Sequence, residues 1–197
     1  MTRRVILASG SQIRRQILLD AGTEFETIKS DVDEDQLKQA HTELSPAAIA
    51  LLLAEAKAVQ VSSRYPDALV LGADQTMELD GALLDKLPRR DLARQRLLAM
   101  RGRPHQLHSG LVLAHAGKPV WQHQQSSTLW VRHFSDAFLE QYLSRAGDEL
   151  TASVGAYAFE GLGAQLFERV EGDFHAVLGL PLLPVLDELR RQGNLAP

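Results

Sequence analysis

The sequence predicts an α/β fold with a mixed β-sheet, in one domain that covers residues 1–197. Short apolar stretches alternate with helical patterns early in the chain, which is typical of parallel strands joined by helices. Asp80 and Gly81 form a hairpin signature, and two further strands with a tight turn follow, which indicates antiparallel pairing. A chain of 197 residues buries roughly 70% of its unfolded surface, so it needs no disulfide or metal to fold.

Strands and helices alternate in the first part of the chain. In order, the pattern predicts a strand at Val5–Ala8, a helix that ends before Gly22, a strand at Phe25–Ile28, an acidic loop at Asp31–Asp35, a helix from Pro46 to about Ser62, and a strand at Ala68–Ala73. Ser45 is a typical N-cap, and Pro46 is a typical first helical residue. The last strand is continuously apolar, which indicates a central position in the sheet with Asp74 at its carboxyl end.

The rest of the chain predicts the antiparallel part of the sheet and its helices. In order, the pattern predicts a hairpin at Leu79–Ala82, a helix at Arg89–Met100, strands at His105–Ala114 and Val120–His133, a helix from Ser135 to Arg145, a strand at Gln165–Val170, and a helix at Pro181–Arg191. Gly117–Pro119 form the predicted turn between the two long strands. The sequence shows no internal repeat, linker or low-complexity segment.

Composition excludes several classes of protein. The sequence has no cysteine, which excludes disulfide frameworks, thiolate zinc sites and cysteine nucleophiles. The net charge of -4 argues against binding to polymeric nucleic acid. The apolar run before Ser9 is too short for a secretion signal, and the denser apolar stretches further on are short or contain proline. We therefore expect a cytoplasmic protein that makes no membrane contact.

The stretch Leu7–Arg15 is the first candidate site. A strand ends there in a turn of small residues, and a helix begins with free backbone N–H groups that suit a phosphate. Ser9 and Ser11 would add hydroxyl groups, and Arg14 or Arg15 would add a planar guanidinium. A capped helix with two solvated arginines is the alternative interpretation of the same residues.

Charged residues at four other positions are candidates for catalysis or binding. Asp74 follows a buried strand, where α/β sheets bind ligands, and it would hold a metal or accept a proton unless it only caps a turn. Lys57 lies on a nearly apolar helix face and would reach into a cleft, as would Lys86, unless both extend to solvent. Glu160 lies in the glycine-rich stretch Gly155–Gly163 and needs a partner if it is buried; the alternative is an exposed glutamate in a turn.

Seven motifs occur in order between residue 5 and about residue 191. They are Leu7–Ser11 with Arg14 and Arg15, Asp31–Glu34, Ala54–Ala58, Gly72–Asp74, Gly155–Tyr157, Glu160 with Gly161, and Gly179–Pro181. Each motif alone is weak, whereas the seven in this order are specific. Together they resemble the Maf family, also called septum-formation-inhibitor proteins.

The resemblance implies a nucleoside triphosphate pyrophosphatase, which cleaves between the α- and β-phosphates and releases a nucleoside monophosphate and pyrophosphate. It also implies an elongated mixed sheet with two lobes and a central cleft, similar to the inosine-triphosphate pyrophosphatases. A divalent metal, magnesium or manganese, is the implied cofactor, and a small-molecule nucleotide is the implied partner. The family is associated with house-cleaning of non-standard nucleotides and with cell-division arrest. The sequence leaves the oligomeric state open, a homodimer included.

The resemblance also implies roles for residues of this chain. Asp74 would accept the proton of the attacking water, and Asp74 together with Glu34 would hold the metal. The phosphates would be bound by Ser9, Ser11, Lys57, Lys86 and either Arg14 or Arg15.

Base preference is predicted from Gln75 and Glu160. One subgroup of the family pairs Asp-Gln with a later Glu and favours 7-methyl-GTP, and this chain carries that pair. The other subgroup pairs Asp-Thr with a later Gln and is suited to thymine and uracil. A carboxylate accepts two hydrogen bonds from a guanine edge, which a glutamine amide cannot do. Ile13 stands where the first subgroup carries a stacking aromatic residue, so the cation–π contact with a methylated base is lost.

Three other functions stay open on the sequence. A pyrimidine-preferring pyrophosphatase would act on dTTP or UTP by the same chemistry. A non-catalytic nucleotide-binding regulator of division would release no pyrophosphate. A plain phosphatase on nucleotides or sugar phosphates would release orthophosphate instead.

Overall fold

A computed structural model describes residues 3–196. Within them the strands are β1 (Val5–Leu7), β2 (Glu26–Thr27), β3 (Leu69–Leu79), β4 (Ala82–Leu84), β5 (Pro104–His115), β6 (Lys118–Val131) and β7 (Phe167–Glu171). The α-helices are α1 (Gln12–Asp20), α2 (Glu34–Ala40), α3 (Pro46–Arg64), α4 (Ala93–Met100), α5 (Asp136–Arg145), α6 (Glu149–Ala152), α7 (Phe174–Val177) and α8 (Leu182–Arg191). Short 3-10 helices lie at Arg90–Leu92 and Leu162–Leu166. No helix between residues 3 and 196 is both long and apolar enough to cross a membrane.

The strands form one seven-stranded sheet of mixed direction. The order is β2-β1-β3-β5-β6-β7, and β4 pairs with β3 off this path. β1 lies parallel to β2 and to β3, with Ile6 opposite Val70 and Leu7 opposite Leu71. β4 and β7 pair antiparallel with β3 and β6. The predicted α/β class with a mixed sheet and flanking helices is therefore confirmed.

The chain divides into two compact units. Unit 1 holds the described residues within 1–75, 108–125 and 173–197, and unit 2 holds residues 76–107 and 126–172. In unit 1, helices cover both faces of the sheet. Successive residues of a strand point to opposite faces, and the apolar residues of β3 are buried on both. Leu69, Leu71 and Ala73 of β3 pack in one core cluster with residues of α1 and α8. Val70, on the opposite face, packs with Val61 of α3.

Two glycines bring α3 close to the sheet in unit 1. A Cβ at Gly72 would overlap the carbonyl oxygen of Ala54, and one at Gly110 would lie 2.5 Å from the carbonyl group of Ala50. Ala54 and Ala58, which face β3 from α3, are fully buried. Helix backbone therefore lies almost directly against strand backbone, which fixes the height of α3 above the sheet.

The predicted acidic loop at Asp31–Asp35 is wrong in its second half, because α2 begins at Glu34. Asp33 is its N-cap, and the Asp33 carboxylate accepts a hydrogen bond from the Gln36 backbone N–H at 2.9 Å. Acidic residues in a first helical turn stabilise the helix through its dipole, so the same residues that suggested a loop start a helix here. The predicted strand at Gln165–Val170 likewise begins only at Phe167, because the preceding residues form a 3-10 helix.

The prediction that Asp74 lies at the carboxyl end of its strand is wrong, because β3 continues to Leu79. The residues after Asp74 keep an extended backbone and pair with β4. The parallel ladder with β1, however, ends at Leu71. Asp74 therefore lies beyond the carboxyl end of β1, although it is inside β3.

Unit 2 contains a buried aromatic cluster around His105. The side chain is 1% exposed, its Nε2 lies 2.7 Å from the Tyr157 hydroxyl, and its ring packs against Tyr157 and Phe167. His105 Nδ1 has no hydrogen-bond partner among the described residues. Burial lowers the pKa of His105 to about 4 and raises the pKa of Tyr157. His105 is therefore a neutral core residue at pH 7.

We expect the folded state to lose stability as the pH falls from 6.5 towards 4. In this pH window His105 of the unfolded chain, with a pKa of 6.5, binds a proton that His105 of the folded chain does not accept. The free energy of unfolding should therefore fall by about 3 kcal/mol, measured by urea titration at each pH. His105→Phe should flatten this part of the curve, whereas His133→Asn, at an exposed histidine, should leave it unchanged. Parallel curves for wild type and His105→Phe would contradict the assignment.

Candidate active site

Two carboxylates share the ammonium group of Lys57 in unit 1. Lys57 Nζ lies 2.5 Å from Asp74 Oδ1 and 2.7 Å from Glu34 Oε1. Lys57 and Asp74 are each 7% exposed, whereas the Glu34 side chain is 45% exposed. We call these three residues the Lys57 cluster. One cation faces two carboxylates, so the cluster has a surplus of negative charge.

Strand alternation and the close approach of α3 bring the Lys57 cluster together. Gly72 and Asp74 are two residues apart in β3 and so share the face that packs against α3. Lys57 directly precedes Ala58, whose Cβ lies against Gly72. Glu34 completes the cluster from α2, of which it is the first residue, directly after the N-cap Asp33.

The amino-terminal end of α1 adds hydroxyl groups and backbone donors. Ser11 is the N-cap, and its Oγ accepts a hydrogen bond from the Arg14 backbone N–H at 3.4 Å. Ser9 is buried, and its Oγ accepts hydrogen bonds from the Ser11 backbone N–H at 3.2 Å and from Arg14 Nη1 at 3.4 Å. Ser11 therefore caps α1, and both serines stabilise the turn.

Arg14 is fixed by two main-chain carbonyl groups. Its Nε donates to the Gly179 oxygen at 2.8 Å, and its Nη1 donates to the Ala73 oxygen at 2.9 Å. Burial lowers the pKa of the Arg14 guanidinium, while the charges of Asp74 and Glu34 act in the opposite direction. The structure thus brings Arg14 into the field of the Lys57 cluster, whereas Arg15 is exposed.

A cavity of about 360 Å³ lies beside the Lys57 cluster. It is lined by Ala8, Ser9, Gly10, Lys29, Ser30, Val32, Asp33, Glu34, Asp35 and Lys57. Lys29 and Ser30 were not predicted from the sequence. The order of strands could have indicated Lys29. Gly10 follows β1 and Lys29 follows the parallel strand β2, so both residues lie at the carboxyl ends of neighbouring strands, where α/β sheets bind ligands. Lys29 Cδ would indeed lie 3.4 Å from a Cβ at Gly10.

The two specificity candidates of unit 1 are engaged in contacts with the protein itself. Gln75 follows Asp74 in β3 and so points to the opposite face of the sheet. Its Nε2 donates to the Ala176 carbonyl oxygen at 2.8 Å and to Ser109 Oγ at 3.3 Å. Ile13 is half-buried and packs against the core between α1 and α8.

The remaining candidates, Lys86 and Glu160, belong to unit 2. Lys86 is exposed in the loop that follows β4. Glu160 is exposed as well, directly before Gly161. Because Glu160 is exposed in a turn, its carboxylate does not need a buried partner.

The two carboxylates of the Lys57 cluster are donors that suit a hard divalent cation. Between residues 3 and 196, no group of three or more histidine, aspartate or glutamate side chains could hold a metal ion. One oxygen of Glu34 and one of Asp74 nevertheless lie close to the same atom, because Glu34 Oε1 and Asp74 Oδ1 are 2.7 and 2.5 Å from Lys57 Nζ. Magnesium is commonly bound by one or two carboxylates, with phosphate oxygens and water completing its shell.

Comparisons with known proteins show the family of the chain. The family model described as Maf-like protein matches residues 4–192. A nucleoside triphosphate pyrophosphatase of Maricaulis maris is 68% identical over 98% of both chains, and one of Caulobacter vibrioides is 49% identical over 97% of this chain and 96% of its own. A 7-methyl-GTP pyrophosphatase of Mesorhizobium japonicum is 46% identical over 99% of both chains. The chain belongs to the family of Maf-like nucleoside triphosphate pyrophosphatases.

Proposed function

We propose that this chain uses the Lys57 cluster to hydrolyse a nucleoside triphosphate to a nucleoside monophosphate and pyrophosphate. The observation that carries the proposal is the contact of Lys57 Nζ with both Asp74 and Glu34, at 2.5 and 2.7 Å, beside a cavity lined by Ser9 and Gly10 ahead of α1. Phosphoryl transfer requires neutralisation of phosphate charge and an oriented water. The cluster and the backbone N–H groups of α1 can supply both.

Asp74 is the proposed proton acceptor. The oxygen of a water molecule attacks the α-phosphorus, and the bond from that phosphorus to the oxygen bridging the β-phosphate breaks. Pyrophosphate leaves with the electrons of that bond, and one proton of the water passes to the Asp74 carboxylate. Lys57 binds Oδ1 of Asp74, so Oδ2 is the proposed acceptor atom.

The phosphate groups are the proposed ligands of the cations and hydroxyls around the cavity. Lys57 and Arg14 neutralise phosphate oxygens, and Ser9 and Ser11 contribute at the start of α1. Lys86, for which the family resemblance implies the same role, is a further proposed phosphate ligand. The guanidinium of Arg14 is already oriented by the Gly179 and Ala73 carbonyl oxygens, so little side-chain entropy is lost on binding. Arg15, exposed on α1, has no role in this proposal.

Glu34 and Asp74 are the proposed ligands of a divalent cation, magnesium or manganese. When bound, the cation supplies positive charge to the phosphate oxygens. A structure with two lobes and a central cleft, similar to the inosine-triphosphate pyrophosphatases, stays a prediction from the family resemblance. A homodimer stays one of the oligomeric states that the sequence leaves open.

The product identifies the reaction. Purified protein with magnesium and a nucleoside triphosphate should release equal amounts of nucleoside monophosphate and pyrophosphate, measured by chromatography of the nucleotide and a coupled pyrophosphate assay. Release of orthophosphate and a nucleoside diphosphate would instead identify a phosphatase. Binding without turnover of any nucleotide would identify a non-catalytic regulator.

For the base we propose 7-methylguanine. The support is the presence of both Gln75 and Glu160 in the sequence and the 46% identity to the 7-methyl-GTP pyrophosphatase of Mesorhizobium japonicum. Glu160 is exposed, so its carboxylate is free of the desolvation that a buried carboxylate would suffer. Two acceptor oxygens match the two N–H groups of a guanine edge, and their charge favours the cationic methylated base.

Glu160→Gln should lower kcat/KM for 7-methyl-GTP by about tenfold relative to UTP. The variant keeps the size of the side chain but replaces one acceptor oxygen by a donor and removes the charge. The measurement compares 7-methyl-GTP, GTP, UTP and dTTP at one magnesium concentration. Glu168→Gln, at an exposed glutamate of the same unit, is the matched control. The specificity proposal is wrong if UTP or dTTP is the best substrate of the wild type, or if Glu160→Gln leaves the ranking unchanged.

A further inference from the structure

Arg96 connects two separate segments of unit 2 through one guanidinium group. Its Nη1 donates to the carbonyl oxygen of Val154 at 2.6 Å, and its Nη2 donates to that of Asp85 at 3.2 Å. Arg96 is a half-buried residue of α4. Because the guanidinium is planar and rigid, both main-chain positions are held relative to the same helix.

Each of the two carbonyl groups adjoins a segment with a proposed role. The Asp85 carbonyl belongs to the peptide bond that links Asp85 to Lys86, so Arg96 fixes the peptide plane from which Lys86 extends. The Val154 carbonyl belongs to the peptide bond before Gly155, where the segment that leads to Glu160 begins.

The segment after Val154 is closed by short hydrogen bonds. Ser153 Oγ accepts from the Tyr157 backbone N–H at 3.0 Å and donates to the Tyr157 carbonyl oxygen at 2.6 Å. The Tyr142 hydroxyl donates to the Ala156 carbonyl oxygen at 3.0 Å, and Ala156 has a φ of 60°. A segment held in this way is stiff, so a contact at Val154 constrains the residues that follow it.

The environment of Arg96 makes its hydrogen bonds more effective than those of a surface arginine. Burial lowers the pKa of Arg96, and the charge of Asp85 acts in the opposite direction. Hydrogen bonds from a partly desolvated cation to carbonyl oxygens are charge-assisted. By contrast, Arg94 on the same helix is exposed and pairs with Glu140 at 2.9 Å.

We propose that Arg96 is a positioning residue, which orders the phosphate-binding Lys86 against the segment 153–160. This inference rests on the proposed function, and it assigns to Arg96 an effect on nucleotide binding without contact to the nucleotide. An exposed lysine on a loop loses conformational freedom when it binds a phosphate. Arg96 lowers that cost by fixing the backbone of Lys86 before the substrate arrives.

A double-mutant cycle separates this role from a general effect on folding. Arg96→Met should lower kcat/KM for the best triphosphate by about tenfold, mainly through KM, in wild-type background. In the background of Lys86→Met, where no ammonium remains to be positioned, Arg96→Met should lower kcat/KM by less than about twofold. Arg94→Met, the matched control, should leave kcat/KM unchanged in both backgrounds.

Equal losses from Arg96→Met in both backgrounds would overturn the inference, because a structural defect acts whether or not Lys86 is present. Urea titration shows whether Arg96→Met is folded; if it is not, Arg96→Lys, which keeps the charge but not the planar fork, takes its place in the cycle. Release of pyrophosphate by the wild type is measured first. Its absence overturns the proposed function, whereas its presence with additive variants overturns the role of Arg96 alone.

Discussion

Asp74→Asn should lower kcat by about 10²-fold or more, in line with the usual contribution of a general base. Asparagine has the same shape, and its amide oxygen can still accept the hydrogen bond that Asp74 Oδ1 accepts from Lys57 Nζ at 2.5 Å. The amide cannot take a proton from water, so the fold is retained while the proton acceptor is lost. The rate of pyrophosphate release at saturating nucleotide and magnesium measures the effect.

The matched control for Asp74→Asn is Asp67→Asn. Asp67 is an exposed aspartate in the turn just before β3, so its replacement changes the net charge equally without touching the Lys57 cluster. Its turnover should equal that of the wild type. Turnover of Asp74→Asn within about threefold of the wild type would remove Asp74 from the role of general base.

Lys57→Met should lower kcat/KM for every nucleoside triphosphate by a similar factor. Loss of a preoriented cation costs about 2–4 kcal/mol of transition-state stabilisation, which corresponds to about 10²-fold in rate. The ammonium interacts with phosphate charge, which all substrates share, so the ranking of 7-methyl-GTP, GTP, UTP and dTTP should not change. The values of kcat/KM for the four nucleotides, measured side by side, test this.

Lys57→Met also leaves Asp74 and Glu34 facing each other without their cation. A buried carboxylate that loses its partner destabilises the fold by several kcal/mol, so urea titration must accompany the kinetics. Lys118→Met, at an exposed lysine of β6 in the same unit, is the control for loss of charge. A changed order of substrate preference would show that Lys57 contacts the base rather than the phosphates.

The sequence was sufficient to predict the α/β class, the mixed sheet and the central position of the strand before Asp74. The continuously apolar stretch Ala68–Ala73 indicates a buried strand before Asp74, and the apolar neighbours of Lys57 indicate a buried helix face. Asp74 and Lys57 could therefore be nominated, although the length of β3 was wrong. The hairpin predicted at Leu79–Ala82 lies at the far end of the same strand, and the prediction did not join it to the strand before Asp74.

Other parts of the candidate site could not be predicted because they depend on tertiary contacts. Lys29 reaches the cavity only because β2 lies parallel to β1, a pairing of two residues that leaves almost no pattern in the sequence. The face of the sheet on which Gln75 lies follows from the continuation of β3, which the sequence did not predict. The different surroundings of Arg14 and Arg15 depend on carbonyl groups at Ala73 and Gly179, far away in the chain.

The contact of α3 with the sheet has a consequence for protein engineering. Exchange of glycine for alanine commonly stabilises a protein by about 0.4–1 kcal/mol, because the unfolded chain loses freedom. At Gly72 and Gly110 the added methyl group would meet helix backbone at Ala54 and Ala50, so α3 would have to move away from the sheet and carry Lys57 away from Asp74. A screen for heat-resistant variants should therefore find its gains elsewhere, because at these two positions added rigidity comes at the expense of the contact between Lys57 and Asp74 that the proposed mechanism uses.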